Sequence, residues 1–408
     1  MIIPADLLKD KNILLGVSGS IAVYKSLELV RLFVKAGANV KVVMSEAAKK
    51  FVTPLTFETL TSHEVLDDFN ESWVTEHNHI KTGEWADVFI IAPATANTMA
   101  KLAQGIADTM LLQTALAYPK KKILAPSANT HMLYNPITQE NIEKLKSVNY
   151  TFVGTQTKEL ACKTTGDGAM AEPLEIFWAT ARELLQDEFW KDRNVLISGG
   201  GTLEKIDDVR YVSNFSSGKM ASALATALYC KGAKVTLVAT KNEPEIPQHI
   251  ELKKVESSQE MFAALQNVLT LFKTNSQKKP YLFMAAAVSD YLPQTHTGKL
   301  KKSFLGKAFT LQMNENIDIL ASLDKEQVYS IGFKAEMDAE QAMENAQAML
   351  SKKSLNAVCL NVLKDSTSFG TDTNTIEFIS ANTSTSLAHN TKLNIAFEIA
   401  KNAQQIEE

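Results

Sequence analysis

The stretch NVLISGGGTLEKIDDVRYVSNFSSGKM, residues 194–220, decides the fold. It opens with the apolar run Val195-Leu196-Ile197, passes through glycines at 199, 200 and 201, and continues as a loop rich in Ser and Asn. Ala221, Leu224, Ala225 and Leu228 then recur at helical spacing. Strand, glycine turn and helix N-terminus in that order place backbone N–H groups where an anion can sit. The start of the chain has the same arrangement: residues 12–20 read NILLGVSGS, and a helix pattern follows. KAGANVKVVMS (35–45) echoes KGAKVTLVAT (231–240). Two α/β nucleotide-binding units in tandem are predicted, the second beginning at Asn194.

At 408 residues the chain is long for one hydrophobic core, and two or three domains are the prior. A net charge of −4, from 42 basic and 46 acidic residues, gives no support for general nucleic-acid binding. Three widely spaced cysteines, Cys162, Cys230 and Cys359, argue against a disulfide framework and against a cysteine zinc site. A cytoplasmic setting fits best. No run approaches the roughly 18 apolar residues of a spanning helix, and MIIPADLLKDKN lacks the pattern of a secretory signal.

In the first half, residues 11–17 and 40–44 read as strands, with a helix over 21–35 between them. The near-continuous apolar run WADVFIIA (85–92) reads as a buried parallel strand. Pro93-Ala94-Thr95-Ala96-Asn97 leads from it into one long helix pattern reaching about Ala117. A further strand, Ile123 to Ala125, ends at Pro126-Ser127-Ala128-Asn129. Alternating strands and helices predict mostly parallel sheets whose ligands bind beyond the strands' carboxyl ends. Gly16, Ser18, Gly19 and Ser20 either cradle a phosphate there or form a plain βα turn; their types alone leave both open. The spacing is not GxGxxG, and Ser45 ends the second strand where an acidic residue would hold a dinucleotide ribose. A mononucleotide is favoured. Loop residue His79, turn residue Asn129, and Cys162 in the glycine-rich loop LACKTTGDGAMAEP (160–173) are the candidates for chemistry.

In the second half, Lys234 to Ala239 and YLFMAAAV (281–288) read as strands, and Ser258 to Phe272 as a helix. The second strand ends in Ser289-Asp290-Tyr291, ahead of a loop carrying Lys299, Lys301, Lys302 and Lys307. Several lysines with a helix N-terminus near residues 316–319 suit phosphate recognition.

WADVFIIAPATANTMAKL with His79 six positions before Trp85, the P-x-x-N turn at Asn129 and LAC…G-x-G-x-M at 160–170 together resemble the flavin-dependent cysteine decarboxylases. With DVRYVSNFSSGKM, the whole chain resembles the bifunctional bacterial phosphopantothenoylcysteine decarboxylase/phosphopantothenate–cysteine ligases of coenzyme A biosynthesis. The resemblance implies two tandem Rossmann-like three-layer domains, a decarboxylase over 1–190 and a ligase over 191–408. It implies FMN held by Gly16, Ser18, Gly19, Ser20, Ser45, Pro93, Thr95 and Asn97. It further implies His79 as the active-site histidine, Asn129 on the substrate carboxylate and Cys162 as the proton donor of a lid. The flavin would oxidise the cysteinyl thiol, carbon dioxide would leave, and the resulting ene-thiol would be reduced.

For the ligase the resemblance implies 4'-phosphopantothenate, cysteine, CTP and Mg²⁺, with an acyl-cytidylate intermediate. Asn214 would hold that intermediate and Lys299 would serve its formation. Ala286, Asp290, Ile317, Asp318, Ile319, Leu320, Phe333 and Lys353 fall at nucleotide-binding positions, and no metal ligands are assigned. A homo-oligomer is also implied, while the charge and the lack of a long apolar run predict no nucleic-acid and no membrane partner. The chain departs from the family pattern at Ser127, Ala128, Lys163, Ala169, Leu203, Asp208, Lys334 and Met349; proline is usual at position 208. Two other readings remain. A nicotinamide-dependent oxidoreductase is disfavoured by the missing fingerprint. A catalytically inactive regulatory subunit of flavoprotein fold is disfavoured by His79, Asn129 and Cys162 standing together.

Overall fold

The apolar runs that read as buried strands are strands of two mostly parallel sheets in the computed structural model, which describes all residues except 76, 160–162, 164, 302–304, 307, 366, 367, 407 and 408. The chain divides into two compact units, Ala5–Leu185 and Gln186–Glu408, the latter joined by Met1–Pro4.

The first unit contains β1 (Asn12–Val17), β2 (Asn39–Met44), β3 (Val88–Ala94), β4 (Lys122–Pro126) and β5 (Tyr150–Phe152), in the order β2-β1-β3-β4-β5. All neighbours are parallel. Phe89, Ile90 and Ile91 of β3 are fully buried, as a parallel strand covered on both faces requires. An antiparallel ribbon of β6 (Gln156–Glu159) and β7 (Thr165–Ala169) stands apart from this sheet.

In the second unit the sheet has eight strands: β8 (Asn194–Gly199), β11 (Lys234–Ala239), β12 (Glu251–Lys254), β13 (Tyr281–Met284), β16 (Tyr329–Glu336), β17 (Ala357–Val362), β18 (Thr373–Ser380) and β19 (Ser384–Thr391). Their order is β12-β11-β8-β13-β16-β17-β18-β19. The first six are parallel; β18 and β19 close one edge antiparallel. Two short ribbons lie outside the sheet, β9 (Leu203–Lys205) with β10 (Tyr211–Ser213), and β14 (Tyr291–Pro293) with β15 (Met313–Glu315).

The two units therefore differ in topology. In the first, the chain leaves β2 and crosses to the far side of β1; in the second, it adds a third strand outward before crossing to β13. Each reversal opens a crevice beyond the carboxyl ends of the strands, between β1 and β3 and between β8 and β13.

Three predicted elements are corrected. Trp85 ends the helix His79–Trp85, capped by Asn78, whose side chain accepts the N–H groups of Ile80 and Lys81; the strand starts only at Val88. The long helix toward Ala117 is two helices, Ala96–Gln104 and Met110–Ala117. Gly105 takes φ +70°, a left-handed conformation that closes the first, and the Thr109 side chain caps the second. The apolar run from Tyr281 leaves the sheet at Met284, because its alanines turn back to the glycine loop. Ala287 N–H donates to Gly200 O (2.8 Å), and Thr202 N–H to Ala287 O (3.1 Å). Gly200 has φ +81°, and a Cβ there would meet Thr240 Oγ1 at 2.2 Å, so a side chain is excluded.

Candidate active sites

In the first unit, the turn after β1 is tied to the turn after β3. Ser18 Oγ donates to Pro93 O (2.7 Å) and accepts Thr95 N–H (3.1 Å). Thr95 Oγ1 in turn accepts Thr98 N–H, capping the helix Ala96–Gln104. Ser18 is buried, and its hydroxyl serves this tie. Ser45 Oγ likewise caps the short helix Glu46–Lys49 through Ala48 N–H (3.3 Å). Gly16 and Gly19 are close approaches: a Cβ on Gly19 would lie 2.5 Å from Ala47 Cβ. Asn97 is exposed at the start of its helix.

Ser20 Oγ stands 3.0 Å from Ser127 Oγ, bringing the β1 and β4 turns together. They open on a cleft of about 510 Å³ lined by Ser20, Ile21, Ser127, Asn129, Lys158 and Met170 among others. Asn129 Oδ1 accepts His131 N–H (2.9 Å). Ala128 N–H donates to Gly168 O (3.0 Å), and Thr130 Oγ1 donates to Asp167 O (2.6 Å), so β7 is docked on the Asn129 turn. Gly168 (φ +132°) allows the approach: a Cβ there would sit 2.1 Å from Ala128 O.

Three residues beside this cleft escaped the sequence reading. Lys25 is buried on the apolar face of helix Val23–Lys35, and its Nζ donates to Met170 O (2.9 Å) and Glu172 Oε1 (3.0 Å). Lys158 Nζ reaches the same Glu172 oxygen at 2.7 Å. Burial lowers the Lys25 pKa, outweighing the opposing pull of Glu172. The signal was Lys25 itself, standing four and eight residues before buried Leu29 and Phe33.

His79 does not line this cleft. Its Nδ1 lies 2.7 Å from Glu71 Oε1, and its ring meets Trp73 edge-on at 5.8 Å. Cys162 lies outside the described residues.

In the second unit, eight of the predicted nucleotide residues line a single cleft of about 430 Å³: Ala286, Asp290, Ile317, Asp318, Ile319, Leu320, Phe333 and Lys353. They come from the turn after β13, the turn after β15, β16 and the end of helix Ala342–Lys352. Asn316 holds two turns together, its N–H on Asp290 O and its Nδ2 on Ser289 O, both at 2.8 Å. Asp318 accepts Ala321 N–H (3.0 Å) and Lys353 Nζ (2.8 Å). Burial pushes its carboxyl upward, but the bonds from Lys353 and the backbone outweigh this and hold it below the usual range. Met349 also lines the cleft.

A second cleft of about 220 Å³ shares the wall residues Ala286 and Phe333 and adds Ser216, Ser217, Lys219 and Lys392. Asn214 Nδ2 donates to Ala287 O (3.2 Å) in that wall. Lys219 pairs with Asp372 at 2.6 Å. Burial, with Lys219 nearby, lowers the Lys392 pKa to about 8. Lys299 lines neither cleft: it is exposed, and Lys302 and Lys307 fall outside the described residues. Among the described residues no group of three or more His, Cys, Asp or Glu could hold a metal, and no helix is long and apolar enough to cross a membrane.

A flavodoxin-like strand order followed by a doubly wound sheet, each with a cleft beyond the carboxyl ends of its strands, defines a two-unit nucleotide-binding α/β protein. The flavoprotein family model matches residues 2–185, and the model of the DNA/pantothenate metabolism flavoprotein C-terminal domain matches 190–406. The chain belongs to the family of the coenzyme A biosynthesis bifunctional proteins CoaBC. It is 38% identical over 403 residues to the Bacillus subtilis (strain 168) protein, covering 96% of each chain. To that of Vibrio parahaemolyticus serotype O3:K6 (strain RIMD 2210633) it is 35% identical over 405 residues, covering 98% of this chain and 99% of the relative. The crystal structure of the C-terminal domain of a CoaBC protein shares 30% identity at a TM-score of 0.42, covering 53% of this chain and 97% of that one.

Proposed function

We propose that this chain is a bifunctional enzyme of coenzyme A biosynthesis that couples 4'-phosphopantothenate to cysteine and then decarboxylates the product to 4'-phosphopantetheine. The observation that carries the ligase assignment is the convergence of eight nucleotide-binding positions, drawn from four segments of the chain, on one 430 Å³ cleft.

In the ligase half, Ala286, Phe333 and Ile317 offer apolar contact for a cytosine, and Lys353 and the Asp318 turn fix its edge. Activation of phosphopantothenate by CTP releases pyrophosphate as the substrate carboxylate bonds to the α-phosphorus; cysteine's amine then displaces CMP. Asn214, bonded to Ala287 at the second cleft, orients the acyl group, and Lys299 offsets charge at the α-phosphate. A Mg²⁺ carried by the triphosphate needs only one or two protein carboxylates, and Asp290 and Glu315 line the cleft for that role.

For the flavin, the fit rests on the cleft at the turns after β1 and β4: paired hydroxyls of Ser20 and Ser127 suit a phosphate ester, and Ile21 and Met170 give apolar faces for a ring. FMN bound there supplies the two-electron oxidation of the cysteinyl thiol and the later reduction of the ene-thiol. Asn129 holds the substrate carboxylate at the cleft, and Cys162 delivers the proton to carbon. His79, poised on Glu71, is the acid–base group. Because it lies off the Asn129 cleft, a homo-oligomer in which a neighbouring copy brings His79 to that cleft is part of the proposal. The setting is cytoplasmic.

One assay tests both halves. Purified protein should be yellow with an FMN spectrum, and it should release CMP from CTP only when given phosphopantothenate and cysteine. A colourless protein overturns the decarboxylase assignment, and CMP release without either substrate overturns the ligase.

A further inference from the structure

Lys299 sits on a pinned backbone. The amides on both its sides are held by consecutive acids of the β9–β10 turn: Gly298 N–H donates to Asp208 Oδ2 at 2.7 Å, and Leu300 N–H to Asp207 Oδ2 at 3.0 Å. Further bonds run parallel, from His296 N–H to Ile206 O (3.0 Å) and from Thr295 Oγ1 to Lys205 O (3.1 Å). The Arg210 guanidinium binds the Asp207 carboxylate and also donates to Leu300 O (3.0 Å). Among the described residues the Lys299 ammonium itself has no partner. A long cationic side chain thus stands free on a main chain fixed at the residue before it and the residue after it. That fixing removes backbone freedom which a transition-state contact would otherwise have to overcome.

Asp207 is closed off in this clasp, its side chain wholly buried beneath Arg210. Asp208 is exposed, and among the described residues its carboxylate accepts one hydrogen bond, from Gly298 N–H. Gly298 takes φ +76°, the left-handed turn that aims its N–H at the acid.

We infer that Asp208 is a positioning residue for Lys299, holding the lysine's loop in register through the Gly298 amide for the acyl-cytidylate step. This rests on the ligase reading above. The test compares wild type, D208A and D208N in the full-length protein. Pyrophosphate release from CTP and phosphopantothenate reports the first half-reaction, and cysteine-dependent turnover of preformed acyl-cytidylate reports the second. D208A should slow the first by about tenfold, the scale of one charge-assisted hydrogen bond, and leave the second unchanged. D208N, which keeps an oxygen acceptor, should recover most of the loss. Amide hydrogen exchange should rise over residues 295–301 in D208A and nowhere else. D208A releasing pyrophosphate at the wild-type rate, or slowing both half-reactions equally, overturns the inference. Wild type that releases no pyrophosphate overturns the ligase reading, and the role of Asp208 with it.

Discussion

Lys353 Nζ stands 2.8 Å from Asp318 Oδ2, joining the end of one helix to the cap of another at the 430 Å³ cleft. The pair supplies both a positive charge and a fixed turn. Lys353→Gln removes the charge and leaves Asp318 with its backbone bond. A hydrogen bond to a charged group contributes about 1.5–3 kcal/mol, so KM for CTP should rise on the order of tenfold or more. Flavin content and decarboxylation should not change. Steady-state kinetics on CTP checks this; an unchanged KM would take Lys353 out of nucleotide binding.

Gly168→Ala should damage the Asn129 turn without touching a reacting group. The new Cβ would lie 2.1 Å from Ala128 O at φ +132°, so one of the two segments must move. Such strain costs about 1–3 kcal/mol, and displacement of Asn129 should cut decarboxylation by on the order of 100-fold. Ligase activity in the same preparation is the internal control. Equal loss of both activities would point instead to general misfolding.

Trp190→Ala tests where the second unit begins. Trp190 is fully buried, its ring 4.8 Å from Tyr281 on β13, and Arg193 lies over Phe189 at 4.0 Å. Removing the indole should cost about 3–5 kcal/mol. Calorimetry of the full chain should show one unfolding transition lowered and the flavin-linked one unmoved. A fall in the flavin-linked transition would contradict the assignment of Trp190 to the second unit.

Lys392 should titrate near neutrality. With its pKa lowered to about 8 by burial, roughly half of it is neutral at pH 8, against well under about 1% for an ordinary lysine. Only the neutral amine attacks an acylating reagent. Competitive labelling followed by peptide mass spectrometry should give a midpoint near pH 8 for Lys392 and above 10 for exposed lysines. Because the folded amine binds its proton less tightly than the unfolded one, stability should rise with pH from about 8 toward 10 through this group. A Lys392 midpoint above 10 would show that burial does not control this amine.

Strand runs such as Val195-Leu196-Ile197 were legible because a parallel strand buried on both faces leaves a continuous apolar record. The same rule misled at residues 285–288, where small apolar residues pack a turn against Gly200 and Gly201. The break between the helices at 96–104 and 110–117 was written in Gly105 and Thr109, a left-handed closing glycine and a capping hydroxyl that the periodicity of the flanking segments obscured. For the 430 Å³ cleft, the eight residues span positions 286–353, and no local pattern links them; resemblance to a family assembled that list. Lys25, Lys158 and Glu172 were missed because a carboxylate shared by two lysines from separate segments leaves no trace in spacing.

Both margins of the eight-stranded sheet are polar. β12 reads ELKK, and along β19 only Leu387 is buried among Ser, Thr, Asn and His. Neither margin offers the long apolar template on which a further strand would nucleate. For the same reason, the ligase unit's open hydrogen-bonding rows are poor seeds for edge-to-edge aggregation when the protein is concentrated.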